Sequence, residues 1–285
     1  MSKNYLLIIL LIFCFFMSDS AWAEETLKNV NKMSMEELLE EFFNQPKVIT
    51  KPMSQRRVDV INALRKTGEP LMRKLKNDLK NPDPKVKVSA EQVLANIGET
   101  ARGAVPELIE ALDNEDITVR SWAVMVLGPL KDPRAFHALV KTTYDPSPNV
   151  RSTLLIYASP SLSDALFAIT ATALSDEDKI VRNNAIYQLK LLKDKRAAPL
   201  LMPLLDNKDV IYESVRRGKK TVNRTCDEVV LALEHIINGK FMIMPERTEK
   251  ENDLEVQKWK QWWKENRERF TKELYPDSDI QRPNK

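Results

Sequence analysis

Apolar residues recur along the chain in a pattern with a period of 31 residues. Val119, Val150 and Val181 are spaced by 31 positions, and Val86 comes 33 positions before the first of them. Apolar residues follow each valine four and eight positions later, which places all three on one face of an α-helix. They are Ala90, Ala123, Leu154 and Ala185, then Leu94, Leu127, Ala158 and Leu189. The pattern predicts a series of similar helices, each with one buried face.

Two further sets of positions predict that each helix has a partner. A short polar residue stands three positions before each valine, and such residues are preferred at a helix N-cap. They are Asp83, Asp116, Ser147 and Asp178. A second helix in each unit ends at residues that are again 31 positions apart. These are Leu112, Thr143, Leu174 and Leu205. The chain is therefore predicted to be all-α and built from tandem helix pairs.

The sequence from Ile97 to Leu112, followed by Asp116-Ile117-Thr118-Val119-Arg120, resembles the HEAT repeat in its short bacterial form. The units are similar to those of phycobilin-lyase-type HEAT proteins over residues 54–240. The resemblance implies a right-handed α-α superhelix of about five to six helix pairs, with the second helices lining a concave face. Such families mostly use this face to hold another macromolecule.

Capping helices are predicted at both ends of the repeats. In residues 24–53, Ser34 and Glu37 have the spacing of a capping box, and Leu38, Leu39 and Phe42 continue into one apolar stripe with Phe43. In residues 241–285, a helix from Leu254 to Phe270 carries Trp259, Trp262 and Trp263. Large aromatic residues at helical spacing favour a role in sealing the last repeat over a role in ligand binding.

Residues 1–23 have the pattern of a secretory signal peptide. A short start with Lys3 precedes an apolar run from Tyr5 to Met17, and Ala21-Trp22-Ala23 forms an A-x-A cleavage site. The apolar run is too short to cross a bilayer as a helix, which needs about 20 residues. We therefore expect an exported protein, periplasmic or secreted, with no transmembrane segment once the signal is removed.

The 31-residue period is interrupted by a basic insertion near residues 207–224. Insertions in repeat proteins fall in loops, and loops carry binding residues more often than packed helices do. Five cations make this predicted loop the candidate partner-binding site. They are Arg216, Arg217, Lys219, Lys220 and Arg224. A solvated run of charge is the alternative interpretation.

Two other surfaces are candidates for binding. Arg120, Arg151 and Arg182 follow the repeated valines, and we interpret them as internal charge partners of Asp116 and Asp178 rather than as a binding stripe. The second surface is the concave face, where we expect five residues of the second helices to face solvent. The set is Glu107, Glu110, His137, Lys141 and Thr170.

Composition excludes several functional classes. The chain of 285 residues has six glycines and a formal net charge of +3, which argue against a phosphate loop and a dedicated nucleic-acid binder. Two cysteines and two histidines argue against metal or cofactor sites, and none is predicted. His137, His235 and Cys226 are too far apart in the predicted repeats to form a catalytic pair.

The sequence therefore predicts an exported, non-enzymatic scaffold that holds another protein of unknown identity. The alternative, suggested by the resemblance, is a lyase-like enzyme or enzyme subunit acting with a bound cofactor or partner. Peripheral contact of the basic insertion with a membrane is a further alternative.

Overall fold

The computed structural model describes residues 29–44, 55–158, 163–216, 219–238 and 248–274. The chain divides into two compact units, one ending at Val126 and the other beginning at Leu127. The predicted signal peptide, residues 1–23, lies outside the described residues. Within these ranges the regular structure is helical apart from one hairpin, so the all-α prediction is confirmed.

In the first unit, the first and second helices of the repeats alternate along the chain, as the 31-residue period predicts. They are α1 (Met35–Asn44), α2 (Gln55–Thr67), α3 (Glu69–Leu79), α4 (Pro84–Ile97) and α5 (Val105–Ala111). Helix α6 begins at Ile117 and ends at Leu130. A 3-10 helix, Gly98–Ala104, leads into α5.

The second unit contains second helices of unequal length and a β-hairpin. Its helices are α7 (Phe136–Lys141), α8 (Pro148–Tyr157), α9 (Ser163–Ala173), α10 (Lys179–Leu192), α11 (Ala198–Leu201), α12 (Thr225–Asn238) and α13 (Glu249–Leu274), and its strands are β1 (Val210–Arg216) and β2 (Lys219–Arg224). Helix α11 gives way to a 3-10 helix, Met202–Asp206, which contains Pro203. Proline has no N–H to donate to an α-helical bond, so the second helix of this repeat is short.

The repeated apolar face forms the core. Val119, Val150 and Val181 are at most 1% exposed, and the residues four and eight positions after each repeated valine are all buried. Asp178 accepts hydrogen bonds from the N–H groups of Ile180 and Val181, as a capping residue does. Asp83 and Asp116 cap their helices in the same way. Ser147 occupies the N-cap position of α8, but its side chain makes no capping bond.

The predicted helices at the two ends are present. In α1, the Ser34 hydroxyl accepts from the N–H of Glu37 at 3.2 Å, and the Ser34 N–H donates to the Glu37 carboxylate at 2.7 Å. Helix α13 begins before the predicted Leu254, because Thr248 and Glu251 form a second capping box. Trp259 and Phe270 of α13 are buried, whereas Trp262 and Trp263 are half-buried.

Arginines that follow the repeated valines join neighbouring loops of the second unit. Arg151 donates from Nε and Nη2 to the two carboxylate oxygens of Asp176, both at 2.7 Å, and from Nη1 to the backbone oxygen of Asp145 at 2.8 Å. Arg182 donates to the carboxylate of Asp209 at 2.8 Å and to the backbone oxygen of Asp176 at 2.8 Å. Each guanidinium therefore bonds the loop before its own helix and a loop one repeat later.

Arg120 bonds the loop before its helix in the same manner. Its Nη1 donates to the backbone oxygens of Asn114 at 2.8 Å and Glu115 at 3.0 Å. The interpretation of the arginines as internal structural residues is confirmed, with partners that differ from those expected. The expected partners, Asp116 and Asp178, instead accept backbone N–H groups as helix caps.

The predicted basic loop is a β-hairpin, and this corrects the sequence analysis. Strands β1 and β2 pair antiparallel from Val210 opposite Arg224 to Arg216 opposite Lys219, with a bulge between Val210 and Tyr212. The strands are rich in residues that favour β structure, such as Ile211 and Val222. They are separated by Arg217 and Gly218 alone, as in a two-residue hairpin loop.

Glu91 in helix α4 is a buried carboxyl group at a position where other repeats are apolar. Its side chain is 0% exposed, and neither carboxylate oxygen has a hydrogen-bond partner among the described residues. The corresponding residues elsewhere are all buried: Ile61, Val124, Leu155, Ile186 and Val230. Burial raises the pKa of Glu91 to about 9, although the charge of Lys87 opposes the rise. Glu91 is therefore protonated in the folded protein at neutral pH.

We predict that Glu91 makes the protein less stable as pH rises. Above the ordinary pKa of 4.5 the unfolded chain releases this proton, while the folded chain holds it up to a pKa of about 9. The free energy of unfolding should fall by about 1.4 kcal/mol per pH unit in this window, or on the order of 3 kcal/mol by pH 7. Glu91→Gln should remove this slope in denaturation curves, whereas Glu110→Gln, at an exposed position, should keep it. Parallel pH profiles for the wild type and Glu91→Gln would contradict the assignment.

Gly128 in α6 provides a second prediction. A Cβ atom at Gly128 would collide with the carbonyl oxygen of Tyr157 and lie 2.8 Å from its carbonyl carbon. Alanine ordinarily stabilises a helix relative to glycine, but here it has to displace backbone. Gly128→Ala should lower the free energy of unfolding by about 3 kcal/mol, as overpacking does.

Gly103→Ala is the matched control in chemical denaturation. Its Cβ would lie 3.2 Å from Cγ of Met72, and a flexible methionine side chain moves aside easily. The control should change stability by less than about 1 kcal/mol. Equal costs for the two substitutions would contradict the importance of the close approach at Gly128.

Candidate partner-binding surface

The base of the hairpin is held by a buried arginine. Arg224, the last residue of β2, is 5% exposed and donates from Nε and Nη2 to the carboxylate of Asp227 at 3.0 and 2.9 Å. Its Nη1 lies 3.0 Å from the carboxylate of Asp253 in α13. The bond to Asp227 raises the pKa of Arg224 further above its ordinary value. This clamp fixes β2 to α12 and α13 at once.

A chain of polar contacts connects the hairpin with helix α10. The amide nitrogen of Asn223 donates to the hydroxyl oxygen of Tyr212 at 3.0 Å and to the carboxylate of Glu228 at 2.8 Å. The same carboxylate lies 4.0 Å from Nζ of Lys190, which in turn is 4.6 Å from the ring centre of Tyr187. Tyr187 and Tyr212 are about half exposed. We call strands β1 and β2, together with Tyr187, the hairpin surface.

Apolar side chains are also exposed on the first helices of the second unit. Ile156 in α8 and Tyr187 in α10 occupy the same repeat position and are 53% and 47% exposed. The two helices are linked by a hydrogen bond of 2.5 Å from Asn184 to the hydroxyl of Ser152. Single exposed apolar residues are common on proteins, but these two are repeated at a fixed helix position and one adjoins the hairpin.

Three of the five predicted binding cations, Arg216, Lys219 and Lys220, occupy described strand positions next to the hairpin turn. Arg216 is opposite Lys219 in the register, and Lys220 is opposite Val215. Arg217 lies outside the described residues. Arg224 was expected to be exposed with the others, and this is wrong, because it forms the buried clamp at the hairpin base.

Residues predicted on the concave face have different environments. Glu110, His137 and Lys141 are exposed. Glu107 lies 3.4 Å from Nζ of Lys76 in an ion pair within the first unit. The expectation for Thr170 is wrong: it is fully buried, and its hydroxyl donates to the backbone oxygen of Leu166 at 2.7 Å because α9 turns this residue toward the core.

The residues considered for catalysis occupy unrelated positions. Cys226 is fully buried in α12, with its thiol 3.7 Å from a carboxylate oxygen of Asp227. Burial first, and then the charge of Asp227, raise the pKa of the Cys226 thiol, so the thiolate is disfavoured. His235 is buried in the same helix, whereas His137 is exposed on α7.

The described residues were also searched for membrane-spanning helices and for clusters of metal-binding side chains. Within the described ranges, each helix is too short or too polar to cross a bilayer. The same part of the chain brings together no group of three or more His, Cys, Asp or Glu side chains suited to a metal ion.

Sequence-family comparison finds two matches. Residues 72–159 match HEAT repeats, and residues 181–207 match the PBS lyase HEAT-like repeat. No curated protein matches the chain by sequence.

Solved structures share the fold at low sequence identity. A chain in the structure of the Pds5–Scc1 complex is 14% identical with a TM-score of 0.50, and the alignment covers 84% of this chain and 42% of that one. A chain in a structure of Kap95p with RanGDP is 12% identical with a TM-score of 0.51, covering 90% of this chain and 39% of that one. The chain thus spans less than half the length of either protein.

The phycocyanin lyase complex of CpcE and CpcF from Nostoc is also similar. It is 16% identical with a TM-score of 0.36, and the alignment covers 85% of this chain and 89% of that one. A likeness at this score supports no conclusion about activity. With the two family matches and the buried 31-residue pattern, the chain carries HEAT repeats, including one of the PBS lyase type, in an all-α repeat fold.

Proposed function

We propose that the chain is an exported, non-enzymatic protein that binds another protein through the hairpin surface. The observation that supports this most is the hairpin itself. It interrupts the repeat period, is held at its base by a buried arginine, and has a sequence rich in cations where its two strands meet. Arginines within the repeats, in contrast, are bonded to loops.

The chemistry of the hairpin surface suits a protein partner. Exposed tyrosines combine apolar area with a hydroxyl group and are enriched at protein interfaces. Tyr187 and Tyr212 lie at the ends of one polar chain at the base of the hairpin, whose strands lead to the cationic positions at the turn. Aromatic residues and positive charge on one surface favour a partner surface that is acidic and partly apolar.

We predict that neutralising the tip separates binding from folding. A variant with Arg216, Arg217, Lys219 and Lys220 changed to glutamine should capture roughly tenfold less partner from a native envelope extract. Its free energy of unfolding should change by less than about 1 kcal/mol, since exposed charges contribute little to stability. Capture by the wild type should also weaken with added salt.

A control with the same loss of charge is available in α13. Lys250, Lys264, Arg267 and Lys272 are exposed there, and changing all four to glutamine should leave capture unchanged. If the tip variant retains its partner, the hairpin is not the binding surface. If changing His137, His235 or Cys226 abolishes a turnover measured with the purified chain, the protein is an enzyme.

Export provides a separate prediction. Ala23→Tyr should block processing, because a large residue does not fit the last position of an A-x-A site. Trp22→Leu changes the middle position and should be processed normally. Mass spectrometry of the exported fraction should find mature chains that begin at Glu24. An exported wild-type chain that keeps residues 1–23 would contradict the signal-peptide assignment.

A further inference from the structure

We infer that helices α8 and α10 form a docking face for an amphipathic helix of the partner, with acidic residues beside the apolar stripe of that helix. The docking face is the exposed side of α8 and α10 and carries Ile156, Ile180, Tyr187 and Leu191. The inference rests on the proposed function, because Tyr187 also belongs to the hairpin surface. It extends recognition from the hairpin to the helices beside it.

Helix α10 carries an exposed apolar stripe. Ile180, Tyr187 and Leu191 are 43%, 47% and 48% exposed. Successive members are seven and four residues apart, which places them on one side of an α-helix. Ala185 and Leu189, on the opposite side, are buried. At a rise of about 1.5 Å per residue the stripe is about 16 Å long, which is the length of three helical turns.

Helix α8 widens this stripe. Ile156 is 53% exposed and lies 31 residues before Tyr187, so the two side chains occupy the same position in successive repeats. A hydrogen bond of 2.5 Å from Asn184 to the hydroxyl of Ser152 joins the two helices. Apolar residues that are exposed singly are common, whereas apolar residues exposed side by side mark interaction sites. The docking face therefore has the composition of a contact surface.

A partner helix suits the docking face better than an extended segment does. The face is formed by side chains of two helices and has no open strand edge. An extended segment would bring backbone N–H and C=O groups against apolar side chains, and such groups are costly to bury without partners. A helix bonds its own backbone, and it can lay an apolar stripe along α8 and α10 at about 8–10 Å between helix axes.

Three lysines border the docking face on the side of the hairpin and α12. Lys179 donates to a backbone oxygen of β1 at 3.0 Å. Lys190 lies 4.0 Å from the carboxylate of Glu228 in α12. Burial, and then the charges of Lys193 and Lys190, lower the pKa of His235 in α12, so both lysines lie near that helix. Three cations beside this one carboxylate form a positive edge, which acidic residues of a partner helix complement.

Other carboxylates nearby do not neutralise the positive edge. Helices α8 and α10 contain no Asp or Glu. Asp194, Asp209 and Glu177 lie 2.6, 2.8 and 3.6 Å from arginine guanidinium groups. Glu213 is exposed, but it follows Tyr212 in a regularly paired part of β1, and successive side chains of a strand point to opposite faces. Because the hydroxyl of Tyr212 joins the polar chain that leads to α10, Glu213 points away from that chain.

The test uses the mature chain, residues 24–285, and three 18-residue peptides with blocked ends. In the first peptide Leu occupies one helical face, and Glu and Ala fill the other positions. The second has the same residues in an order without a continuous apolar face, and the third has Lys in place of Glu. Fluorescence anisotropy should show binding of the first peptide and roughly tenfold weaker binding of the other two. Hydrogen exchange should slow in α8 and α10 when the first peptide is bound.

Paired variants test which residues make the contact. Ile156→Ser with Leu191→Ser should weaken binding of the acidic peptide roughly tenfold, and should lower capture of the partner from a native envelope extract by a similar factor. Ile117→Ser with Leu254→Ser changes the same two residue types at positions that are 48% and 56% exposed, and it should alter neither measurement. All four side chains lie outside the core, so both variants should keep the helical circular dichroism spectrum.

Three results overturn the inference. The first is absence of binding by the acidic peptide, equal binding of the acidic and reordered peptides, or protection outside α8 and α10. The second is binding of the chain to phosphatidylglycerol vesicles in place of the acidic peptide, which assigns the face to a membrane surface. The third is self-association of the purified chain that the Ile156→Ser and Leu191→Ser changes abolish, which assigns the face to a second copy.

The inference and the proposed function fail in different ways. If the Ile156→Ser and Leu191→Ser changes leave capture intact while neutralising the tip abolishes it, the proposed function stands and the docking face is wrong. If neutralising the tip leaves capture intact while the two serine changes abolish it, recognition belongs to the docking face and the proposed role of the hairpin fails.

Discussion

The bonds from arginine guanidinium groups to the loops between helices are the interaction on which the repeats depend. Arg151 and Arg182 each bond the backbone of the loop before their own helix and a carboxylate one repeat later. A loop oxygen inside a repeat protein has few partners unless a side chain supplies them, and a guanidinium has donors enough for two loops. The carboxylate lies 25 residues after Arg151 and 27 residues after Arg182, so the same contact is made across loops of different spacing. Arg151 and Arg182 therefore stabilise the packing of neighbouring repeats.

In the last repeat the backbone bonds the loop oxygens, because the N–H groups of Thr225 and Cys226 donate to the backbone oxygens of Asp209 and Asn207 at 3.0 and 2.9 Å. Cys226 occupies the position of the repeated arginine and has no charge to offer a loop. Arg224 enters from the end of β2 instead and bonds Asp227 and Asp253. The hairpin is thus joined to the repeats through a buried ion pair, and removing one partner of such a pair leaves an uncompensated charge. The ion pair therefore fixes the base of the inserted hairpin to α12 and α13.

Much of the fold can be predicted from the sequence because it depends on periodic positions. The burial of Val119, Val150 and Val181 and the capping aspartates were predicted from spacing alone, and the structure confirms them, whereas Val86 is only half-buried. Three features follow from local exceptions to the period and were missed. Glu91 occupies a position that is apolar in the other repeats. The sequence shows this exception, but it does not show that the Glu91 side chain is buried. The hairpin was signalled by β-branched residues around Arg217-Gly218, but the run of charge obscured that signal. Thr170 was placed on the solvent side, although it lies one helical turn after the buried Leu166, on the same face of α9.

The most direct test of this account is a chain in which the ten residues Glu213–Val222 are replaced by Asn-Gly. Tyr212 and Asn223 are opposite each other, so a two-residue turn can join them, and the Arg224 clamp is kept. The account predicts an unchanged helical circular dichroism spectrum, a free energy of unfolding within about 1 kcal/mol of the wild type, and loss of the captured partner. A folded variant that still holds its partner would contradict the assignment of recognition to the hairpin.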